Sequence, residues 1–411
     1  MNTIMRLAST MTPRWRFLVR TGTLLLLACS PTQRAEPTTT NPPNPSLAMG
    51  RKPVFKAQPS HGVDSTHHRE LWVTHQRDSE ISILKFPSGQ LLDGLSLPAG
   101  TQPHIITFHG GKYAYISGMG NGTLSIVEAD SRQVVKTLNF APALCHQGKV
   151  SPDGTTMLVS VFPTRRLHKV VVDEANGSWT PVSSVEFPVG KAPVCTVFRS
   201  DGQRAYVSTM MDGVVIVDVP SMTILGTLPT DGFVACGMIK PYPHADHAVI
   251  AAGGGGGHIY TLDMTNDELV DRGTLGAASW HSLNINREGT LGFGTSPLSD
   301  EVVVIDLTTQ PVTKLRTIPL QPFPGTGNNQ PDALGGGDPI VSDTVPVSLR
   351  AAGQVALVDA ESFEINRFVE ITEPSPPGAF STMTCIGCAV HGVTVRAMQH
   401  RDGERDGDDR D

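Results

Sequence analysis

One phrase recurs along the chain: a run of apolar residues, an acidic residue, and a short polar segment typical of a turn. It is VVIVDVPSMT around Asp218 and VVVIDLTTQP around Asp306. The acidic position is filled in turn by Glu128, Asp173, Asp218, Asp263, Asp306 and Asp359. These residues are 45, 45, 45, 43 and 53 positions apart, and an earlier copy carries Lys85, 43 positions before the first acid. The spacing predicts seven repeated units.

Each unit contains four short runs rich in β-forming residues, separated by turn signals such as SPDG. Four such runs per unit predict four antiparallel strands, and no part of the body shows sustained helical periodicity. We therefore predict an all-β fold, a seven-bladed β-propeller of four-stranded antiparallel blades. The first unit lacks an inner strand, and the C-terminal segment HGVTVR has no strands after it. That segment is predicted to complete blade one and close the ring.

Two segments, YAYISGMGNGTLSIVEADSRQVV and AYVSTMMDGVVIVDVPSMTI, resemble the YVTN-repeat β-propellers, as does the SPDG turn. The resemblance covers nearly all of residues 68–397 and is specific for the fold rather than for a function. It implies a secreted or surface protein, often a lipoprotein, related in fold to the haem-binding propeller of nitrite reductase. The seventh unit departs from the repeat, because NNQPDALGGGDPIVSDTVPVSLRAAGQ is longer than its counterparts.

The N-terminus has the features of an export signal. Several arginines precede the apolar run LLLLAC, which is too short to span a bilayer. The residues Leu26 to Cys29 resemble a bacterial lipobox, which implies cleavage after residue 28 and lipidation of Cys29. Ser30 stands where Asp usually retains lipoproteins at the inner membrane, so the outer membrane is expected. The alternative is an ordinary secretory signal with an unmodified cysteine.

Composition divides the rest of the chain. Residues 29–67 form a Pro- and Thr-rich tether, residues 68–397 the propeller, and residues 398–411 a disordered charged tail. The formal net charge of −7 disfavours nucleic acid as a partner. We expect a monomer anchored to lipid in the bacterial envelope, facing the periplasm or the surface, with a possible protein or envelope partner.

Histidines recur at one position of the inner strands. Counting back four residues from the apolar residue before each turn gives His104, His146, His281 and His391, with Val194 and residue 235 in two other blades. A shared register predicts one height at one mouth of the central channel. Three interpretations are open: hydrogen bonds between blades, a polar substrate mouth, or ligands for a transition metal such as Cu or Zn or a haem-type group.

The cysteines allow further predictions. Cys385 and Cys388, in CIGCAVHGV, are expected to form a tight disulfide outside the cytoplasm, with a soft-metal pair as the alternative. The segment is not a c-type haem site, because Ala389 stands where that motif requires His. Cys195 and Cys236 occupy matching positions on neighbouring inner strands and are expected to be free, partly buried thiols.

No G-x-S-x-G, H-E-x-x-H or Walker motif occurs in the sequence. The recurring acid is interpreted as a turn cap, because a catalytic acid would be expected once. The sequence thus favours a binding or scaffold propeller that acts through the histidine-rich mouth without catalysis of its own. The alternative is a metal- or haem-dependent oxidoreductase, or a lactonase-like hydrolase, that uses the same histidines.

Overall fold

The computed structural model describes most of the repeated body of the chain. The described residues are 69–142, 144–209, 213–232, 234, 239–242, 246–253, 257–276, 280–286, 288–296, 299–320, 331–332, 344–375 and 389–396. All regular elements within these ranges are β-strands. The same ranges contain no helix that is long and apolar enough to cross a membrane.

The first four blades follow the chain in order. Blade one contains β1 (Arg69–His75), β2 (Glu80–Phe86) and β3 (Gln90–Ser96). Blade two contains β4 (Pro103–His109), β5 (Tyr113–Gly118), β6 (Thr123–Glu128) and β7 (Gln133–Asn139). Blade three contains β8 (Cys145–Val150), β9 (Thr156–Val161), β10 (Arg166–Asp173) and β11 (Ser178–Glu186). Blade four contains β12 (Pro193–Phe198), β13 (Arg204–Thr209), β14 (Val214–Asp218) and β15 (Thr223–Leu228).

The remaining strands complete the ring. Blade five contains β16 (Ile239–Pro241), β17 (His247–Ala252), β18 (His258–Asp263) and β19 (Glu268–Thr274). Blade six contains β20 (Ser282–Ile285), β21 (Leu291–Ser296), β22 (Glu301–Asp306) and β23 (Thr313–Pro319). Blade seven contains β24 (Pro331–Asp332), β25 (Thr344–Leu349), β26 (Gln354–Asp359) and β27 (Ile365–Glu370). The last strand, β28 (Val393–Arg396), belongs to blade one.

The seven four-stranded antiparallel sheets confirm the predicted fold class. The core lies between neighbouring blades, where aromatic and aliphatic side chains interleave. Trp72 of blade one, for example, meets Phe108 of blade two edge to face, with ring centroids 5.4 Å apart. Burial of such side chains between sheets is the main stabilising term for this architecture.

The recurring acid is a turn cap, as predicted. After the third strand of blade four, Asp218 accepts a hydrogen bond from the backbone nitrogen of Ser221 at 3.0 Å. Asp306 does the same for Thr308 at 2.8 Å in blade six. The acid therefore supplies a local acceptor for turn amides that the sheet ladder leaves unpaired.

The predicted closure of the ring is confirmed. β28 pairs antiparallel with β1, so that Val393 lies opposite Val73. Arg396 stabilises this strand pairing through two hydrogen bonds. Its Nε donates to the Gly111 carbonyl at 2.7 Å, and one terminal nitrogen donates to Glu70 at 3.2 Å. The first and last strands of the body thus share one sheet, and no inner edge of blade one is left open.

A β-bulge lies between the third and fourth strands of every blade. These register shifts occur at Ile83/Leu84, Ile126/Val127, Lys169/Val170, Ile216/Val217, His258/Tyr260, Val304/Ile305 and Leu357/Val358. A bulge increases local twist and makes an outer strand a poor template for pairing with another chain. The repeat therefore protects each exposed sheet edge by the same device.

Candidate functional site at the mouth of the channel

The four predicted histidines lie where the inner strands begin. His104 is in β4, His146 is in β8, His281 directly precedes β20, and His391 lies two residues before the start of β28. His391, His104 and His146 are buried, with only 1%, 4% and 8% of their surface exposed, whereas His281 is partly exposed. Four blades thus contribute one imidazole each to the same end of the channel.

Three of these imidazoles are in direct contact. The Nε2 atoms of His104 and His146 are 3.2 Å apart, and their rings meet edge to face. The rings of His104 and His391 are stacked, with centroids 4.0 Å apart and planes inclined by 20°. His281 is more distant, with its centroid 6.2 Å from that of His391. The expected convergence therefore forms a compact group of three with the fourth histidine beside it.

Bulges at the start of the inner strands aim these side chains. In β8, Cys145 and Gln147 pair with consecutive residues of β9, so His146 is the additional, bulged residue. β4 carries a comparable bulge between Pro103 and Ile106, which includes His104. Bulges commonly redirect side chains next to functional sites. Register counted along an ideal strand cannot show this redirection.

The stack of His104 on His391 requires a residue without a side chain beside it. A Cβ atom on Gly392 would lie 2.4 Å from the carbonyl oxygen of His104. Only glycine therefore lets the chain at the start of β28 approach β4 this closely. The His-Gly pair in HGVTVR is explained by this contact.

The structure adds two residues that the sequence analysis missed. Gln76 and Arg350 both follow directly after the second strand of their blades, β1 and β25. The Gln76 side-chain nitrogen is 3.0 Å from Nδ1 of His104, and Arg350 approaches Nε2 of His281 to 3.4 Å. Both side chains are fully buried. Their shared position, directly after the second strand of a blade, was the available signal.

The hydrogen bonds show which ring nitrogen carries the proton in each member of the central pair, His104 and His146. With the Gln76 amide nitrogen donating to Nδ1, His104 carries its proton on Nε2 and donates it to Nε2 of His146. His146 then carries its own proton on Nδ1. No hydrogen bond of ordinary geometry from the described residues reaches this Nδ1. The backbone of Val194 nevertheless raises the pKa of His146 slightly.

Burial keeps these imidazoles neutral. Desolvation, with a smaller contribution from His281, lowers the pKa of His146 to about 3. Desolvation also holds the pKa of His391 well below its usual value, and the Arg350 guanidinium lowers it further. Both side chains therefore offer neutral nitrogen atoms at physiological pH, and both are too weakly basic to serve well as general acids or bases.

His281 is positioned by the tryptophan that precedes it. Trp280 is fully buried, and a Cβ atom on Gly294 would lie 1.9 Å from its six-membered ring. A Cβ atom on Gly257 would overlap its indole nitrogen at 2.1 Å. The two glycines thus make the space that fixes Trp280 at the base of the mouth.

The prediction of free thiols is wrong for Cys195, which is disulfide-bonded. It lies in a bulge of β12 between Pro193 and Thr196, so its side chain is not aimed as strand register predicts. Of the described cysteines, Cys145 is free and buried, and burial raises the pKa of its thiol to about 12. The other predicted cysteine positions, Cys29, Cys236, Cys385 and Cys388, lie outside the described residues.

The described residues contain no group of three or more His, Cys, Asp or Glu side chains arranged to hold a metal ion. At the mouth, the closest nitrogen atoms are Nε2 of His104 and Nε2 of His146, and the ring of His391 is stacked on that of His104.

No family model and no curated protein matches this chain. Solved structures with the same fold do match. A functionally unknown protein from Desulfotomaculum acetoxidans is 12% identical, with a TM-score of 0.59, covering 79% of this chain and 99% of its own. Dihydro-haem d1 dehydrogenase NirN in complex with DHE is 14% identical, with a TM-score of 0.52, covering 82% and 79%.

A third match is a 6-phosphogluconolactonase-like protein from Bacteroides fragilis. It is 17% identical, with a TM-score of 0.50, and the match covers 59% of this chain and 78% of the other. At identities this low, all three matches support the propeller fold alone.

Proposed function

We propose that the chain is a binding propeller of the bacterial envelope that captures a ligand or an envelope partner at its histidine-rich mouth. One observation carries this proposal: four blades each place one imidazole at the same end of the channel, and three of these rings touch. A purely structural histidine would need a partner only in its own blade interface. Convergence on one point is typical of a binding site.

The electrostatics of the mouth favour binding over acid–base catalysis. An imidazole whose pKa lies near 3, as for His146, is unprotonated at neutral pH and takes up a proton poorly. Neutral imidazoles do, however, retain lone pairs and N–H groups that can coordinate or hydrogen-bond a ligand. The site is therefore suited to hold a group rather than to transfer its protons.

Membrane anchoring is part of the proposal. The lipobox-like sequence at Cys29 and the resemblance to YVTN-repeat lipoproteins support a lipid anchor followed by a tether. The described chain begins at Arg69 and ends at Arg396, at the end of blade one opposite to His391. We propose that this anchor and tether hold the propeller at the membrane.

Native mass spectrometry of the chain purified from its own envelope fraction tests this function. We expect a bound mass on the wild type that is absent from the double variant His104→Ala with His146→Ala. His258→Ala is the matched control, because His258 lies in blade five and takes no part in the mouth's ring contacts. If the double variant keeps its fold and the same bound mass, the mouth is not the binding site.

A further inference from the structure

The central pair of imidazoles has the spacing of two ligands on one metal ion. Two nitrogens that each lie about 2.0–2.1 Å from a tetrahedral Zn²⁺ are about 3.3–3.4 Å apart. The Nε2 atoms of His104 and His146 are separated by 3.2 Å. The two atoms point at each other across this distance, so both rings must tilt for their lone pairs to meet at an ion beside the line that joins the nitrogens.

The second nitrogen of the His104 ring has a supporting group. Metal-bound histidines usually hydrogen-bond through their second nitrogen, which fixes the orientation of the ring. Gln76 is 3.0 Å from Nδ1 of His104, and the backbone of Val194 lies beside His146 on the next inner strand. Gln76 thus holds the His104 ring from behind, whereas Nδ1 of His146 makes no hydrogen bond of ordinary geometry with the described residues.

Burial also favours an ion over a large molecule at this pair. His104 and His146 expose only 4% and 8% of their surface, which leaves little contact area for an organic ligand. A single ion needs no such area. The partly exposed His281 marks the side from which a further ligand can approach.

We propose that His104 and His146 are the two protein ligands of a transition-metal ion of the zinc or copper class, whose other coordination positions are completed by the captured ligand. This inference rests on the proposed function and names its chemistry. On binding, His104 releases its Nε2 proton and takes up one proton on Nδ1, so that the Nε2 lone pair is free for the metal and the proton count is unchanged. The Gln76 amide then turns so that its oxygen accepts that proton. Both imidazoles stay neutral, and no oxidant or reductant is required.

Gln76 is a positioning residue in this site. Loss of a group that supports a metal-bound histidine typically weakens metal binding by roughly 10–100-fold. Gln76→Ala should fall within that range. Gln76→Glu should restore binding, because a carboxylate accepts the Nδ1 proton without turning.

The test titrates Cu²⁺ into the metal-free mature chain, purified without a histidine tag, and records the paramagnetic resonance spectrum. We expect one ion per chain with coupling to two nitrogens. His104→Ala and His146→Ala should each lose more affinity than the roughly 10–100-fold expected for Gln76→Ala. His258→Ala is the control and should bind as the wild type does, because His258 lies in blade five and stacks on Tyr260, outside the mouth.

Failure of the wild type to bind one equivalent would overturn the metal site. So would retention of binding by both pair variants, or coupling to three or more nitrogens. If an alanine variant does not fold, His146→Gln replaces it, because glutamine keeps polar volume and is a poor ligand for these ions. If the copper titration fails while native mass spectrometry still shows a bound mass that depends on His104 and His146, the proposed function stands, but the site holds no metal.

Discussion

At the residue scale, the account depends on how tightly the mouth is packed. Gly392 is a tightly constrained backbone position there, because a Cβ atom would lie 2.4 Å from the His104 carbonyl oxygen. Neither strand can move without disturbing the stack of His104 on His391. The histidine group is thus held by backbone contacts as well as by its own rings.

We expect Gly392→Ala to destabilise the fold by about 1–3 kcal/mol, the usual cost of overpacking a dense interior. Urea unfolding measures this free energy. Gly226→Ala is the matched control, since Gly226 lies in the outer strand β15 and a Cβ atom there meets nothing within 4 Å. Equal effects of the two substitutions would show that the mouth is not closely packed.

Buried neutral histidines also make stability depend on pH. Desolvation lowers the pKa of His75, whose Nε2 bonds the Ser82 hydroxyl at 2.8 Å, to about 4. Its folded-state pKa lies below the unfolded value of about 6.5, so the unfolded chain binds the proton more readily. The stabilising contribution of the neutral ring is complete above pH about 6.5 and is lost as the pH falls toward 4.

His75→Gln should therefore lose less stability than the wild type when the pH falls from 7 to 4.5. The expected difference is about 2 kcal/mol. Urea unfolding of both proteins at the two pH values measures it, and carboxylates common to both proteins cancel in the comparison. Identical acid destabilisation of the two proteins would contradict the assigned pKa.

At the element scale, the repeat made most of the fold predictable. The spacing of Asp218, Asp263 and Asp306 marks the end of each third strand, and the structure places all three there. Counting back from the apolar residue before each turn also located His104 and His146 correctly at the mouth. Because the pattern repeats, it predicts the same packing for every blade, and each of the seven blades tests that prediction.

The same reasoning failed where the chain departs from an ideal strand. The bulge in β12 re-aims Cys195, so matching register did not reveal that it is disulfide-bonded. Gln76 and Arg350 were missed because the residue after each second strand differs from blade to blade. Bulges and single-copy side chains at strand ends depend on tertiary contacts, which periodicity does not encode.

The closure of blade one gives a prediction for the C-terminal strand. Deleting residues 391–411 removes β28 and the contacts of Arg396 with Glu70 and Gly111, and it exposes the apolar edge of β1. We expect this variant to misfold or aggregate. Size-exclusion chromatography and urea unfolding measure the outcome.

Deletion of residues 400–411 is the control for this truncation. The segment is rich in charged residues, and its loss should change the unfolding free energy by less than about 0.5 kcal/mol. If both truncated chains are equally stable, β28 does not close the ring.

At the scale of the whole molecule, the proposed lipid anchor gives a prediction for Cys29. Cys29→Ala should prevent lipidation and leave the protein unprocessed or soluble in the periplasm. Membrane fractionation and the mass of the mature chain distinguish these outcomes from the wild type. A variant that still fractionates with membranes in its usual mass form would show that Cys29 is not the anchor.

The central claim is that the histidine mouth is a binding site. A structure of the chain purified from its native source tests it most directly. The account predicts density for a bound group within coordination or hydrogen-bonding distance of Nε2 of His104 and His146. A mouth in which these atoms keep their 3.2 Å hydrogen bond, while a ligand is bound elsewhere on the propeller, would contradict it.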